Sequence, residues 1–345
     1  MPIEPTEDTQ ETALDALDRK ILNALQIEPR AAWTKIAAVL GVDAVTVARR
    51  WARLCEERLV WATAHELGTL DLRGAIIEVE CARNPVEVAV DLAKDPECYA
   101  LDITSGGRDL LMTPYAPDEF ALTEYLLTRV SGRPDVRRAR IHLITGHFGE
   151  GSAWRLRELT SEQVERFADS GSVVQTPRAA LSTVERAVIA ALREDARMSA
   201  IDIAERVGIP VRRARETVQH LLSSKRIRLR TEVARSVSGW PIQAWYFVRV
   251  PARRLLRVGA QLARLEELRL VVSAAGPHNL ILVVWLGQLG DVTALEARIE
   301  DALEGVEISD RCIALRSFKR AGHLIDVQGR RIGQTSQGPV VRPVG

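Results

Sequence analysis

Cysteine is scarce in this chain. Cys55, Cys81, Cys98 and Cys312 are the four in 345 residues, and no two have C-x-x-C spacing. That count and spacing speak against a disulfide scaffold and suit a reduced, cytoplasmic setting. Long apolar runs are also missing. The longest, 280–286, has strand length and falls far short of the roughly 18 residues a membrane span needs. The first eleven residues are acidic and polar, so no secretory signal is expected. There is no Walker loop, no G-x-S-x-G and no His/Cys/Asp cluster at metal-ligand spacing. The histidines are His65, His142, His147, His220, His278 and His323, and none stands at i, i+4 from another. These absences lead to the expectation of no catalytic site, no metal and no cofactor.

What the chain has instead is a repeat. The stretch 14–25 returns as 181–192, and the offset of 167 holds through Arg30/Arg197, Ile36/Ile203, Gly41/Gly208 and Leu54/Leu221. In each copy apolar residues at helical spacing mark a first helix: Leu14, Leu17, Ile21, Leu22 and Leu25, then Leu181, Val184, Val188, Ile189 and Leu192. A second helix follows over 33–40 or 199–207. Gly41 and Gly208 then end it, because glycine adopts left-handed backbone without cost. Asp43 can cap the third helix, and Pro210 is tolerated at a helix start that needs no N–H.

That third helix, 44–55 or 211–223, buries Val47, Trp51 and Leu54, or Ala214, Val218 and Leu221. Its outward face carries Val45, Thr46, Arg49, Arg50 and Arg53 in the first copy. In the second it carries Arg212, Arg213, Arg215, Glu216 and Gln219. A short helix, apolar on one side and basic on the other, suits the DNA major groove. Thr46, Arg49, Arg50, Arg212 and Arg213 are candidates for base edges or phosphates. Arg53, Lys225, Arg226 and Arg228 are candidates for sequence-independent anchoring. Net charge is +1, yet the halves differ: residues 1–170 carry 20 Lys and Arg against 29 Asp and Glu, and residues 171–345 carry 27 against 17. The second half is therefore the better polyanion binder.

A β-α-β-β-α-β pattern follows each helical trio, which predicts a ferredoxin-like domain with helices on one sheet face. The uncovered faces carry apolar residues and call for mutual burial, within one chain or between chains. The expected fold is therefore α+β: two tandem copies of a winged helix-turn-helix and a ferredoxin-like domain. The divisions are 12–66 and 72–150, a linker at 151–180, then 181–236, 240–320 and a tail at 321–345. Strands are expected at 136–145 and 306–315, ending the first and second ferredoxin-like patterns.

This order resembles the Lrp/AsnC, or feast/famine, transcription regulators. The resemblance rests on Leu17-Asp18-Arg19-Lys20-Ile21-Leu22-Asn23-Ala24-Leu25, Arg30, Ile36-Ala37-Ala38-Val39-Leu40-Gly41-Val42 and Val47-Ala48-Arg49-Arg50-Trp51-Ala52-Arg53-Leu54. The doubled arrangement, with Gly239-Trp240-Pro241 and Lys319-Arg320-Ala321-Gly322, looks like the tandem form found in actinobacteria. The family usually has Ser where Asp43 and Pro210 stand here. The resemblance implies sheet-paired assembly into dimers or larger oligomers, and an amino acid or related effector near the loop between the second and third strands. The family's Gly-x-x-Asp motif is present as Gly106-Gly107-Arg108-Asp109. The second copy departs from it, with Gly276-Pro277-His278-Asn279. Gly106, Gly107, Asp109, Gly276, His278 and Asn279 are thus effector candidates. A hairpin turn that needs Gly for its backbone and Asp as a cap explains the same residues.

The expected function is sequence-specific, DNA-binding transcriptional regulation by an intrachain pseudo-dimer or homo-oligomer, with double-stranded DNA as partner and no membrane. An architectural DNA-bridging protein is one alternative. A second is an enzyme like the sirohaem decarboxylases, which also resemble two paired modules of this kind; His278 and Arg269 would there mimic a propionate-holding pocket.

Overall fold

The computed structural model describes residues 14–66, 73–167 and 181–334. Each repeat opens with three helices: α1 (Ala16–Ile27), α2 (Trp33–Leu40) and α3 (Ala44–Glu56), later α7 (Thr183–Glu194), α8 (Ala200–Val207) and α9 (Val211–Ser223). The α1 and α7 starts are capping boxes, Asp15 with Asp18 and Ser182 with Glu185, which satisfy backbone N–H groups that the helix itself cannot. Gly41 and Gly208 end α2 and α8 at φ of 68° and 72°. The Asp43 carboxylate accepts from the Thr46 N–H, whereas Pro210 offers no side-chain cap.

The strands that follow the trios, β1 (Val60–His65) and β6 (Arg228–Val233), pair antiparallel with each other from Val60↔Val233 to His65↔Arg228. The two modules are thereby joined face to face within one polypeptide. A second exchange obeys the repeat offset. Arg30 donates to the carbonyls of Ala196 and Met198 at 2.5 and 3.1 Å, and Arg197 donates to those of Pro29 and Ala31 at 2.6 and 3.0 Å. Each arginine does to the other module what its counterpart does in return, which is the signature of an isologous two-fold interface. Arg197 also stacks over Trp33 at 3.8 Å. Alanine at either position is expected to cost about 2 kcal/mol, from charge-assisted bonds lost at a half-buried site. The double variant should cost less than the sum, because both act on one interface. Urea denaturation of the four proteins measures this.

The rest of the fold is one sheet. The first repeat supplies β2 (Arg73–Cys81), β3 (Cys98–Thr104), β4 (Leu110–Ala116) and β5 (Val136–Glu150). The second supplies β7 (Ile242–Arg249), β8 (Leu268–Ala275), β9 (Leu280–Leu286) and β10 (Glu307–Arg320). The strand order is β10-β3-β4-β2-β5-β8-β9-β7, and β7 pairs with β10 to close a barrel. The sheets therefore meet edge to edge at β5–β8 and β10–β3, not simply face to face. Their helix-free faces become the barrel lining of Ile76, Leu111, Trp245, Phe247, Val272, Ile281 and Val283. Outside, α4 (Pro85–Leu92) and α5 (Glu119–Glu124) cover the first half, and α10 (Leu255–Leu262) and α11 (Asp291–Ala302) the second. Strands covered on both faces read as apolar without alternation, as β4 and β9 do.

Three expectations change. Strands β5 and β10 run five residues beyond their predicted ends at 145 and 315, and those extra residues form much of the seams. Residues 151–167, read as the start of a linker, include the short α6 (Ser161–Glu165) and are docked on α1. Trp154, Leu156 and Phe167 are buried there, Asn23 accepts the N–H groups of Glu158 and Leu159, and Gln26 accepts that of Leu156. The remaining linker residues, 168–180, lie outside the described residues. The tail, read as lacking periodicity, adds β11 (His323–Ile325) and β12 (Arg331–Gln334) beside β10. Among the described residues no helix is long and apolar enough to cross a membrane.

Candidate nucleic-acid interface and barrel sites

The two reading helices are not equivalent. On α3, Val45 is 72% exposed and Arg49 is also exposed. Thr46 sits at the helix start with its backbone N–H on Asp43. Arg50 and Arg53 reach back to α1. Arg50 Nη1 lies 2.5 Å from Asp15 and 2.9 Å from Asp18, and Arg53 Nη2 lies 2.7 Å from Asp18 and Nη1 3.1 Å from Glu57. Asp18 is 1% exposed, so its carboxylate depends on these two arginines. The hydrogen bonds that Arg50 donates to the Asp15 and Asp18 carboxylates hold it firmly charged. Both arginines, expected free on the outward face, are thus engaged with carboxylates of the protein.

On α9, by contrast, Arg212, Arg213 and Arg215 are all exposed. Among the described residues the Arg212 guanidinium is paired along its own helix, with Glu216 one turn on at 2.7 Å. Lys225 is exposed in left-handed backbone at φ 54°. The extension behind α9 divides. Arg226 is buried, with Nη1 3.7 Å from Glu185 of α7. Arg228 keeps an exposed side chain but reaches Glu150 of β5 at 2.8 Å. Of these expected phosphate anchors, Arg226 is thus engaged inside its own module and Arg228 ties that module to the barrel.

The effector candidates gather at one end of the barrel. Gly106 takes φ +94°, and Gly107 is open. The Asp109 carboxylate accepts the Cys81 N–H at 2.7 Å. Asn279 repeats the device: its Oδ1 accepts from Val250 N at 2.9 Å, and its Nδ2 donates to Val250 O at 2.7 Å. Both side chains fasten the end of one strand to the start of another. Gly276 allows the loop to lie against the His142 ring, where a Cβ would come within 2.7 Å of Nδ1. The His278 ring sits 6.2 Å from that of His142 and 5.5 Å from that of Phe247, and burial holds His278 below its usual range. His142 Nε2 is 2.7 Å from Glu78, which also holds Arg108 at 2.8 Å. Asp109 and Asn279 are thus engaged, while Nδ1 of His142 and Nδ1 of His278 are buried without a hydrogen-bond partner.

The opposite end, below the helical modules, holds a cluster the sequence reading did not find. Glu232 of β6 is 1% exposed and binds Arg230 and, at 2.9 Å, Arg269. Burial opposes its ionisation, yet Arg230 and Arg269 bring its pKa down to about 2. Arg269 lies 3.9 Å over Trp285. Asp102 accepts from Gln243, Trp245 and Ser317 at 2.6, 3.2 and 2.7 Å. The only sequence signal was charged residues at inward strand positions. The pairing of Arg269 with His278 does not form, since they lie at opposite ends of β8, about 20 Å of strand apart.

A model of the AsnC-type helix-turn-helix domain matches residues 14–54, and one of winged helix-turn-helix DNA-binding domains matches residues 181–228. An uncharacterized HTH-type transcriptional regulator of Pyrococcus furiosus is 29% identical over 136 residues, covering 38% of this chain and 92% of that protein. One from Pyrococcus abyssi is 24% identical over 152 residues, covering 44% and 96%. The first module is thus similar to AsnC-type helix-turn-helix domains, and the chain is similar to HTH-type transcriptional regulators over about two fifths of its length. Its full length is similar to the siroheme decarboxylase NirDL, solved in complex with an iron-uroporphyrin III analogue. The TM-score is 0.59 and the identity 16%, over 93% of this chain and 95% of that one. That likeness overturns the expectation that the chain has no place among enzymes: its whole-chain fold is one that a decarboxylase uses.

Proposed function

We propose that this DNA-binding transcriptional regulator reads an asymmetric operator as a pseudo-dimer made from one chain. Two tandem winged helix-turn-helix and ferredoxin-like units supply the two halves, and a small metabolite modulates binding. The observation that carries the reading is the reciprocal Arg30 and Arg197 exchange, with the β1–β6 pairing, which sets two reading helices about a pseudo-two-fold axis. A dimer of such modules spans half-sites about one helical turn, ~34 Å, apart. The faces differ: exposed Val45 and Arg49 with half-buried Thr46 on one helix, and exposed Arg212, Arg213 and Arg215 on the other. The half-sites should therefore differ in base preference.

The test is selection of bound fragments from genomic DNA by the purified protein. A split, imperfectly palindromic motif is the expected result. Motif-free, salt-sensitive binding would replace specific regulation with DNA bridging. The full-length fold likeness supports a second reading, an enzyme acting on a tetrapyrrole. A Soret band that shifts on titration with an iron-porphyrin carboxylate, in a protein that selects no DNA, would establish that reading instead.

A further inference from the structure

We propose that the barrel mouth beneath the second helix-turn-helix is a binding site for a small organic carboxylate, and that Arg230 carries its occupancy to the DNA-reading module. The mouth encloses about 80 Å³ of free volume, room for several waters or a short organic acid. Polar atoms there lack partners. The Tyr99 hydroxyl and the Thr113 hydroxyl are buried and without a hydrogen bond, although both line the space. A buried hydroxyl left unpaired is costly, so two of them facing one cavity point to something that accepts from them.

The charges point the same way. Arg230, Arg269, Lys319 and Arg320 line the cavity. The carboxylates around them are engaged by other groups: Glu232 by Arg230 and Arg269, Glu150 through Oε1 by Arg228 and Ser152, and Asp102 by its three donors. Lys319 is 1% exposed, and its ammonium donates to the Asp95 carbonyl at 2.6 Å. Among the described residues it has no carboxylate within ion-pair distance. Of the four, Arg230 and Arg269 share the one carboxylate of Glu232, and Arg320 like Lys319 has none within ion-pair distance among the described residues, so the cavity favours a further carboxylate. The remaining wall is apolar, from Trp245, Leu270, Val283 and Trp285, so the acid should carry a short hydrocarbon body.

The route to DNA is short. Arg230 stands on β6, which leaves α9 directly, and it crosses against Gly151, where any side chain would collide with the guanidinium. A carboxylate drawing on Arg230 changes its share in Glu232 and hence the seating of β6. This coupling rests on the regulator reading; the binding site does not.

The test titrates the whole protein with propionate and pyruvate, and with propionamide as the neutral isostere, by calorimetry and tryptophan fluorescence. DNA affinity is measured first without ligand, so failure of the regulator reading shows separately. Saturable binding of an acid, at least about tenfold tighter than propionamide, is expected. Tyr99→Phe should weaken it about five- to tenfold while leaving the melting temperature unchanged or higher, since it removes an unpaired buried hydroxyl. Thr113→Val should act in the same direction. No saturable binding of either acid, equal binding of propionamide, or undiminished binding by both variants would overturn the site. Acid binding that leaves DNA affinity unchanged would overturn the coupling.

Discussion

Replacing Glu232 with Gln is expected to destabilise the protein by about 3–5 kcal/mol, the largest loss among the substitutions considered. The carboxylate is 1% exposed and serves both Arg230 and Arg269. Glutamine keeps the shape and removes the charge, leaving two guanidinium groups buried without compensation. Arg269 shows how costly that is. Burial already lowers its pKa to about 9 with Glu232 in place. The same pair sets an acid limit. Glu232 titrates near 4.5 when unfolded and about 2 when folded, so its contribution is complete above pH 4.5 and fades as pH falls toward 2. Urea midpoints across that range should fall more steeply for the native protein than for Glu232→Gln. Parallel curves would mean that Glu232 does not carry this charge balance.

The helical modules were legible in the sequence because their determinants are local. Gly41 and Gly208, the capping residues and the spacing of Val47, Trp51 and Leu54 each act within a few positions, and the repeat doubled every signal. The seams were less legible. Gly146 and Gly149 read as the end of a strand, but each is a point of close approach. A Cβ on Gly146 would meet Ser273 Oγ at 2.9 Å, and one on Gly149 would meet Leu268 at 2.8 Å. Register shifts accompany both. Glycine there admits a neighbouring strand through a bulge, so β5 continues. The docked stretch 151–167 escaped notice because Trp154, Leu156 and Phe167 follow no period.

The candidate sites divide along the same line. Exposure of Arg212, Arg213 and Arg215 followed from the helical wheel. The fate of Arg50 and Arg53 did not, since a long side chain on an outward position can turn back to a carboxylate on another helix. Gly-x-x-Asp marked a real turn, but a motif cannot say whether its carboxylate is free, and Asp109 is spent on Cys81 N–H. The mouth cluster joins strands from both repeats, and no window of sequence brings Tyr99, Arg230, Arg269 and Lys319 together.

The division between the reading helices predicts a division in DNA affinity. Alanine at Arg212, Arg213 and Arg215 together is expected to weaken binding about 10²- to 10³-fold and to reduce the salt dependence by about two to three units of slope. These side chains are exposed, and their loss does not uncover a buried carboxylate. Alanine at Arg50 and Arg53 together should leave the slope nearly unchanged and lower stability instead, because Asp18 then stays buried without a cation. Fluorescence anisotropy over a salt series reads both slopes, and urea denaturation reads the stability. Should the Arg50 and Arg53 variant lose slope as the α9 variant does, these arginines must leave Asp18 to reach DNA. Binding would then have to repay the cost of stripping a buried carboxylate, which makes the first module the weaker and more conditional reader even in that case.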